Sequence, residues 1–223
     1  MIFDQLKAQI LSQAIQGKLV PHLAEEGIVE QLGDVPEHVP FEIPESWKWM
    51  QLKYVSDAVR GGSPRPISAY ITTEDDGLNW IKIGDAEKGE KVIKKCAQKI
   101  KPSGLNKTRF VKKGSLLLTN SMSFGQPYIL GVDGCIHDGW LSIFNFEKYI
   151  NKTYFYYLFL SPYTNQEFSK QASGSVVKNL NIDKVKSIFI PIPPLKEQER
   201  IVKKLETLFV EIEKAEKAYL ELL

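Results

Sequence analysis

Apolar residues recur at three different periods along the chain, and each period predicts a different structure. Near the start, Phe3, Leu6, Ile10 and Ala14 repeat at three- and four-residue steps, with Leu11 and Ile15 alongside. This predicts a short amphipathic helix over residues 3–16. Gly17 follows as a C-cap and Pro21 bars continuation. From Trp47 to about Ile192 the pattern breaks into short strand-like runs between Gly, Pro, Asn and Asp: "WIKIGD" (80–85), "GSLLLT" (114–119), "PYILGV" (127–132) and "LSIFNF" (141–146). Such spacing predicts a compact, mixed β-rich domain. A helical stretch over 152–171 interrupts it, and Pro162 is expected to bend or split that helix.

The last segment is the most regular. Ile201, Leu205, Leu208, Ile212, Ala215, Tyr219 and Leu222 follow alternating four- and three-residue steps, with Glu, Lys and Arg between them. That is a heptad seam, the pattern of a coiled-coil helix. A helix packed on its own domain shows a broader stripe, and Val202 and Phe209 widen this one, so both arrangements stay open. The pattern reaches Leu223 without a capping glycine or proline, which fits either a paired helix or a shortened one. The expected fold class is α+β, divided as a short N-terminal helix (1–20), a proline-dotted acidic connector (21–46), a compact domain (47–192) and an extended C-terminal helix (193–223).

Between the last two, "SIFIPIPPLKEQERIVKKLE" (187–206) joins a strand to a helix. Pro191 is expected to end the strand, since it cannot donate to a ladder. Pro193 and Pro194 then hold the chain extended and permit a helix to start at once. Glu197 and Glu199 fall in its first turn, where the helix dipole favours negative charge. Such a stiff exit holds a globular domain at a set angle to a rod.

Composition narrows the setting. The 223 residues include two cysteines, Cys96 and Cys135, too few for a disulfide framework, which fits a reducing cytoplasm. The greasiest stretch, "YFYYLFL" (154–160), is far short of a membrane span. The start has an early Asp4 and no long apolar run, so no secretory signal is expected. The net charge of +2 conceals an uneven distribution. Residues 25–45 hold seven acidic groups and no Lys or Arg, whereas residues 88–113 hold ten basic groups against Glu90 alone. A local excess of that size suits either a polyanion such as nucleic acid or a solvated lysine-rich surface.

Enzyme signatures are sparse. The chain has no phosphate loop, no dinucleotide glycine turn, no acid-x-Lys nuclease element and no Asn-Pro-Pro-Tyr run. "CIHD" (135–138) gathers a thiol, an imidazole and a carboxylate, but lacks a second Cys pair for zinc, and its members are too close in sequence to converge easily as a triad. It reads as structural, with an enzyme using Cys135 and His137 as the alternative. His22 and His38 read as inert, and no metal site is expected.

Three loops fit nucleic acid better. "RGGSPRP" (60–66) combines Arg60, Gly61, Ser63 and Arg65, where backbone amides and guanidinium groups could grip phosphate. "TNSMSFGQ" (119–126) offers Asn120, Ser121, Ser123 and Gln126, and Asn or Gln can bond adenine through two contacts. "SGSVVKN" (173–179) presents Gly174, Ser175, Lys178 and Asn179. With Lys82, Lys107 and Arg109, these are the residues expected to contact DNA, through loops 60–66, 82–85, 105–123 and 173–179. The seam residues Ile201 to Leu222 are expected to pair with a matching helix.

The run from Ser173 to Glu206 strongly resembles the specificity subunits of type I restriction-modification systems. Their recognition domain ends in a Gly-Ser-Thr-Val-like loop and a Pro-rich run with Glu-Gln-x-Arg-Ile-Val; here these read Gly174-Ser175-Val176 and Pro191 to Pro194, Glu197-Gln198, Arg200-Ile201-Val202. Val176 departs from the commoner Thr. "ILSQAIQGKLVP" (10–21), "IPESWKWMQLKYV" and "GGSPRP" are similar to the family's lead-in and to the opening of its recognition domain.

The resemblance implies one target recognition domain that reads half of a split DNA target, and a helix that docks methyltransferase subunits and, through them, restriction subunits. It implies pairing with a second half-subunit or a second copy through the coiled coil. No cofactor is expected in this chain, since S-adenosylmethionine, ATP and Mg would belong to partner subunits. It also implies a non-catalytic, cytoplasmic chain that is either a natural half-subunit or part of a longer one. A recognition module of a fused restriction-methyltransferase, or a coiled-coil adaptor that never touches DNA, are the alternatives.

Overall fold

The computed structural model describes residues 2–121, 125–172 and 180–222. In chain order these form α1 (Ile2–Ile15), β1 (Lys48–Gln51), α2 (Leu52–Val55), β2 (Asp57–Arg60), β3 (Ile71–Thr72), β4 (Leu78–Ile81), β5 (Val92–Ile93), β6 (Lys99–Ile100) and β7 (Arg109–Val111). There follow β8 (Leu116–Thr119), β9 (Pro127–Leu130), β10 (Gly134–Ile136), β11 (Trp140–Phe144), α3 (Lys152–Leu160), α4 (Pro162–Ala172), α5 (Ile182–Ser187), β12 (Phe189–Ile192) and α6 (Leu195–Leu220). The chain divides into two compact units, each assembled from separate stretches: residues 1–55, 146–167 and 188–223 in the first, and 56–145 with 168–187 in the second.

The first unit is helical around a two-stranded antiparallel ribbon of β1 and β12. β12 runs through Pro191, which sits opposite Trp49, to Ile192. The expectation that Pro191 ends the strand is therefore corrected. Among the described residues β12 has β1 as its sole strand neighbour, an edge position at which a residue without an N–H is tolerated. α6 begins directly after Pro193 and Pro194, as their backbone restriction predicts. "YFYYLFL" forms α3, buried from Tyr154 to Phe159, with the Asn151 side chain accepting from the N–H groups of Thr153 (2.9 Å) and Tyr154 (3.2 Å) as N-cap. Ser161 is extended and Pro162 opens α4, so the helical stretch is split where the proline requires.

α1 ends at Gly17, whose φ of +71° suits glycine, and Lys18 N–H reaches back to Gln13 O at 2.9 Å. α1 and α6 pack antiparallel: the Phe3 ring lies 6.0 Å from that of Tyr219, and Lys7 Nζ 3.6 Å from Glu213. The acidic stretch 21–46 carries one short 3-10 turn, Ala24–Glu26, and is held by contacts within this unit. Val29 N–H donates to Ser46 O (2.9 Å), Gln31 to Trp49 O (3.0 Å), and Phe41 packs on the rings of Trp49 and Tyr163.

The start of α6 is a closed polar network. Glu197, only 1% exposed, accepts from His22 at 2.7 Å, so His22 has a structural task that its sequence context did not indicate. Gln198 accepts from Asn151 N–H (2.7 Å) and donates to Tyr149 O (2.9 Å) and Pro193 O (2.8 Å), joining the beginnings of α3 and α6. Arg200 grips both carboxylate oxygens of Glu26 (2.8 and 2.6 Å) and donates to Pro21 O (2.9 Å). The Arg200 guanidinium holds the Glu26 carboxyl below its ordinary value.

The second unit is built on two five-stranded sheets, ordered β3-β6-β4-β10-β7 and β2-β11-β8-β9-β5. Most neighbours are antiparallel, but β10 pairs parallel to β4 and β5 parallel to β9. The core gathers Ile81, Ile93, Leu117, Leu130, Ile136 and Trp140 from both sheets. α5 packs against β2, tied by Lys186 to Asp57 at 3.1 Å.

Candidate nucleic-acid interface

The second unit brings most of the expected DNA-contacting positions to one short segment, the end of β10 and the turn that follows it. β10 reads Gly134-Cys135-Ile136, wholly buried, because it lies between β4 and β7. Ile136 faces Ile81 on one side and Arg109 on the other. Lys82 therefore leaves β4 beside this point, and His137 N–H donates to Ile81 O at 2.9 Å. Thr108, buried between Lys107 and Arg109, donates to Ile136 O at 2.9 Å.

The loop after β2 closes on the same segment. Gly61 N–H donates to Trp140 O (2.9 Å) and Gly62 N–H to Ile136 O (3.1 Å). These amides, expected to grip phosphate, are spent on the protein instead. The glycines serve close approach: a Cβ on Gly61 would lie 2.1 Å from His137 O, and one on Gly62 2.5 Å from Lys107 O.

Asp138 is the centre of what results. Its carbonyl accepts from Arg60 Nε (2.8 Å) and Asn120 Nδ2 (2.8 Å). Its carboxylate accepts from Ser63 Oγ (2.8 Å) and from His137 Nε2 (2.9 Å), and its other oxygen lies 3.8 Å from an Arg65 nitrogen. His137 Nδ1 accepts from Gly139 N–H at 2.9 Å, so the ring proton sits on Nε2, facing Asp138. Burial lowers the His137 pKa, against the pull of Asp138, and Arg65, Lys82 and Arg60 lower it further. The imidazole is neutral at pH 7. "CIHD" thus acts as scaffold at this point: Cys135 packs with Trp80 and Ile100, and burial pushes its thiol up to about 11.

The expected residues differ in availability. Arg60, Arg65, Lys107 and Arg109 are exposed, Arg65 to 80%. Lys107 donates to the Tyr70 hydroxyl, and Lys82, half-buried, to Gln98 Oε1 at 2.8 Å. Asn120 is 1% exposed; its N–H bonds Gly139 O (2.9 Å), and its Oδ1 has no partner among the described residues. Asn120 therefore stands behind the surface, where it braces the Asp138 turn. Ser121 is half-buried beside it. Leu180 N–H donates to Asn120 O at 2.8 Å, bringing the residue just after 173–179 to the same place. Ser123, Gly174, Ser175, Lys178 and Asn179 lie outside the described residues. Asp138 and Tyr70 were missed by the sequence reading; the sole signal for Asp138 was the "CIHD" run itself.

The heptad seam divides along its length. Ile201, Leu205 and Ile212 are buried within the first unit, where α6 packs on α1 and α3, and Leu208 is half-buried. Ala215, Tyr219 and Leu222 are exposed, Leu222 to 86%. The first half of the seam already has its matching helix in the same chain. Among the described residues, no helix is long and apolar enough to cross a membrane.

The family model for the type I restriction modification DNA specificity domain matches residues 44–222. A protein provisionally assigned as the MjaX specificity subunit of a type I restriction enzyme from Methanocaldococcus jannaschii is 30% identical, over 96% of this chain and 48% of its own length. The MjaVIII specificity subunit of the same organism is 26% identical over 96% of this chain and 51% of its own. The chain spans about half the length of the curated relatives it matches. In fold, it is similar to the HsdS subunit from Thermoanaerobacter tengcongensis, with a TM-score of 0.64 and 22% identity over 96% of this chain and 47% of that one. With most of its length matched, the chain belongs to the type I restriction modification DNA specificity domain family.

Proposed function

We propose that this chain supplies one DNA-reading half of a type I restriction-modification specificity subunit. The second unit meets duplex DNA through Arg60, Arg65, Lys82, Lys107 and Arg109, which gather around the Ile136–Trp140 segment. That gathering is the observation that carries the reading. Cations from three separate stretches of the chain, brought together despite their mutual repulsion, match the charge and fork geometry needed for phosphate and guanine edges. Residues 173–179 and Ser123 are assigned to the same contact by sequence alone.

The first unit takes the docking role. The exposed apolar end of α1 and α6, with Ile2, Leu6, Tyr219 and Leu222, receives a matching helix from a second half-subunit or a second copy, and the rod seats methyltransferase subunits. Methylation and cleavage, with S-adenosylmethionine, ATP and Mg, then belong to partners in the cytoplasm, and restriction subunits join indirectly. This chain contributes specificity and no catalysis.

Neutralising Lys107 and Arg109 together tests the DNA contact. Each phosphate contact contributes about 0.9 to the slope of log affinity against log salt, so the double variant should flatten it by roughly 1.8. Binding of a labelled duplex measured across a salt series reads this directly. An unchanged slope removes both residues from the interface.

A further inference from the structure

The basic cluster contains an acid that its charge alone does not justify. A carboxylate among DNA-facing cations repels phosphate and lowers general affinity, yet Asp138 is 32% exposed and sits at the centre of this cluster. Its contacts reach separate parts of the chain: Arg60 at the end of β2, Ser63 and Arg65 in the following loop, Asn120 after β8, and the neighbouring His137. Among the described residues, Arg60 is fixed through Nε alone, on the Asp138 backbone carbonyl, which leaves its two terminal nitrogens as a fork. Ser63 donates its one proton to the carboxylate, so toward a ligand its oxygen can act only as an acceptor.

Resting on the DNA reading above, we propose that Asp138 is a positioning residue for sequence discrimination. Its carboxylate holds Ser63 and draws Arg65 toward the Arg60 fork that the backbone carbonyl anchors, and it opposes phosphates that approach the cluster without a matching base edge. An unrestrained guanidinium grips any phosphate, whereas one held in place rewards a particular edge. Asp138 lowers affinity for arbitrary DNA and raises the ratio between correct and incorrect sequence.

Asp138→Asn tests this, because it keeps the volume and the backbone carbonyl and removes the charge. The full chain is first used to select duplexes from a random pool. Binding of the best selected duplex and of a shuffled duplex of equal length is then measured for the wild type, for Asp138→Asn, and for Asp76→Asn, which removes an exposed charge elsewhere in the second unit. Asp138→Asn should bind the shuffled duplex more tightly and the selected one no more tightly, reducing their ratio about tenfold, within the range of one bidentate base contact. Its melting temperature should match that of Asp76→Asn.

If both affinities move by the same factor, or if Asp76→Asn reduces the ratio equally, the assignment of Asp138 is overturned while the DNA reading stands. A wild-type chain that selects no motif overturns the DNA reading, and this proposal falls with it. Should Asp138→Asn fail to fold, Asp138→Glu provides the second arm. It keeps the charge but displaces it by a methylene, so the ratio should fall without tighter binding to the shuffled duplex; an unchanged ratio would overturn the proposal.

Discussion

Arg200 and Arg65 are the same residue in opposite circumstances. Arg200 uses Nε and both terminal nitrogens on Glu26 and Pro21, beside a buried Glu197 and a buried Gln198 whose polar groups are likewise engaged. Arg65 is 80% exposed, with one long contact to Asp138. The first arrangement is closed: all three Arg200 nitrogens have a protein acceptor, and the reward is a fixed geometry at the start of α6. The second is open, with donors that no described residue occupies. Saturation of hydrogen-bonding capacity, rather than charge, separates a cation that builds the protein from one that serves a ligand.

The sharpest challenge to that contrast is Gln198→Leu. It leaves Asn151 N–H and the carbonyls of Tyr149 and Pro193 without their partner in a buried setting, and the expected cost is about 3 kcal/mol or more by chemical denaturation. Arg200→Gln should cost about 2 kcal/mol at pH 7, from charge-assisted bonds in a partly exposed pair. Its signature is pH dependence. Glu26 has a folded pKa below its ordinary 4.5, so its contribution is complete above that pH and is lost as pH falls through the folded value. Wild type and variant should therefore converge in acid. Arg65→Gln should change stability by less than about 0.5 kcal/mol and flatten the salt dependence of duplex binding by about one contact. If Arg65→Gln destabilises as Arg200→Gln does, the distinction between closed and open cations fails.

Legibility followed the range of the interactions. α1, the split between α3 and α4, and the start of α6 were readable because helical period, proline and caps act within a few residues. The heptad seam was readable as a pattern but not as a pairing, because α1 and an external helix satisfy the same apolar spacing. The basic cluster was legible as a list and not as an assembly. Arg60 and Asp138 are 78 positions apart, and they meet because β2 pairs antiparallel with β11 and sets Arg60 opposite Leu141, a long-range pairing that neither strand's sequence announces. The glycine pair shows the same limit. Gly61 and Gly62 read as a flexible grip on phosphate, whereas their lack of a side chain allows two backbones to touch.

The antiparallel contact of α1 with α6 bears on how the protein is made. Residues 2–15 are synthesised well before the helix that covers them, which starts at Leu195. Folding during synthesis generally proceeds from the N-terminal side, but within the first unit α1 has to wait for α6 before it is covered. A cut that removes α6 would strip that unit of its lid, while the stretches forming the second unit stay whole.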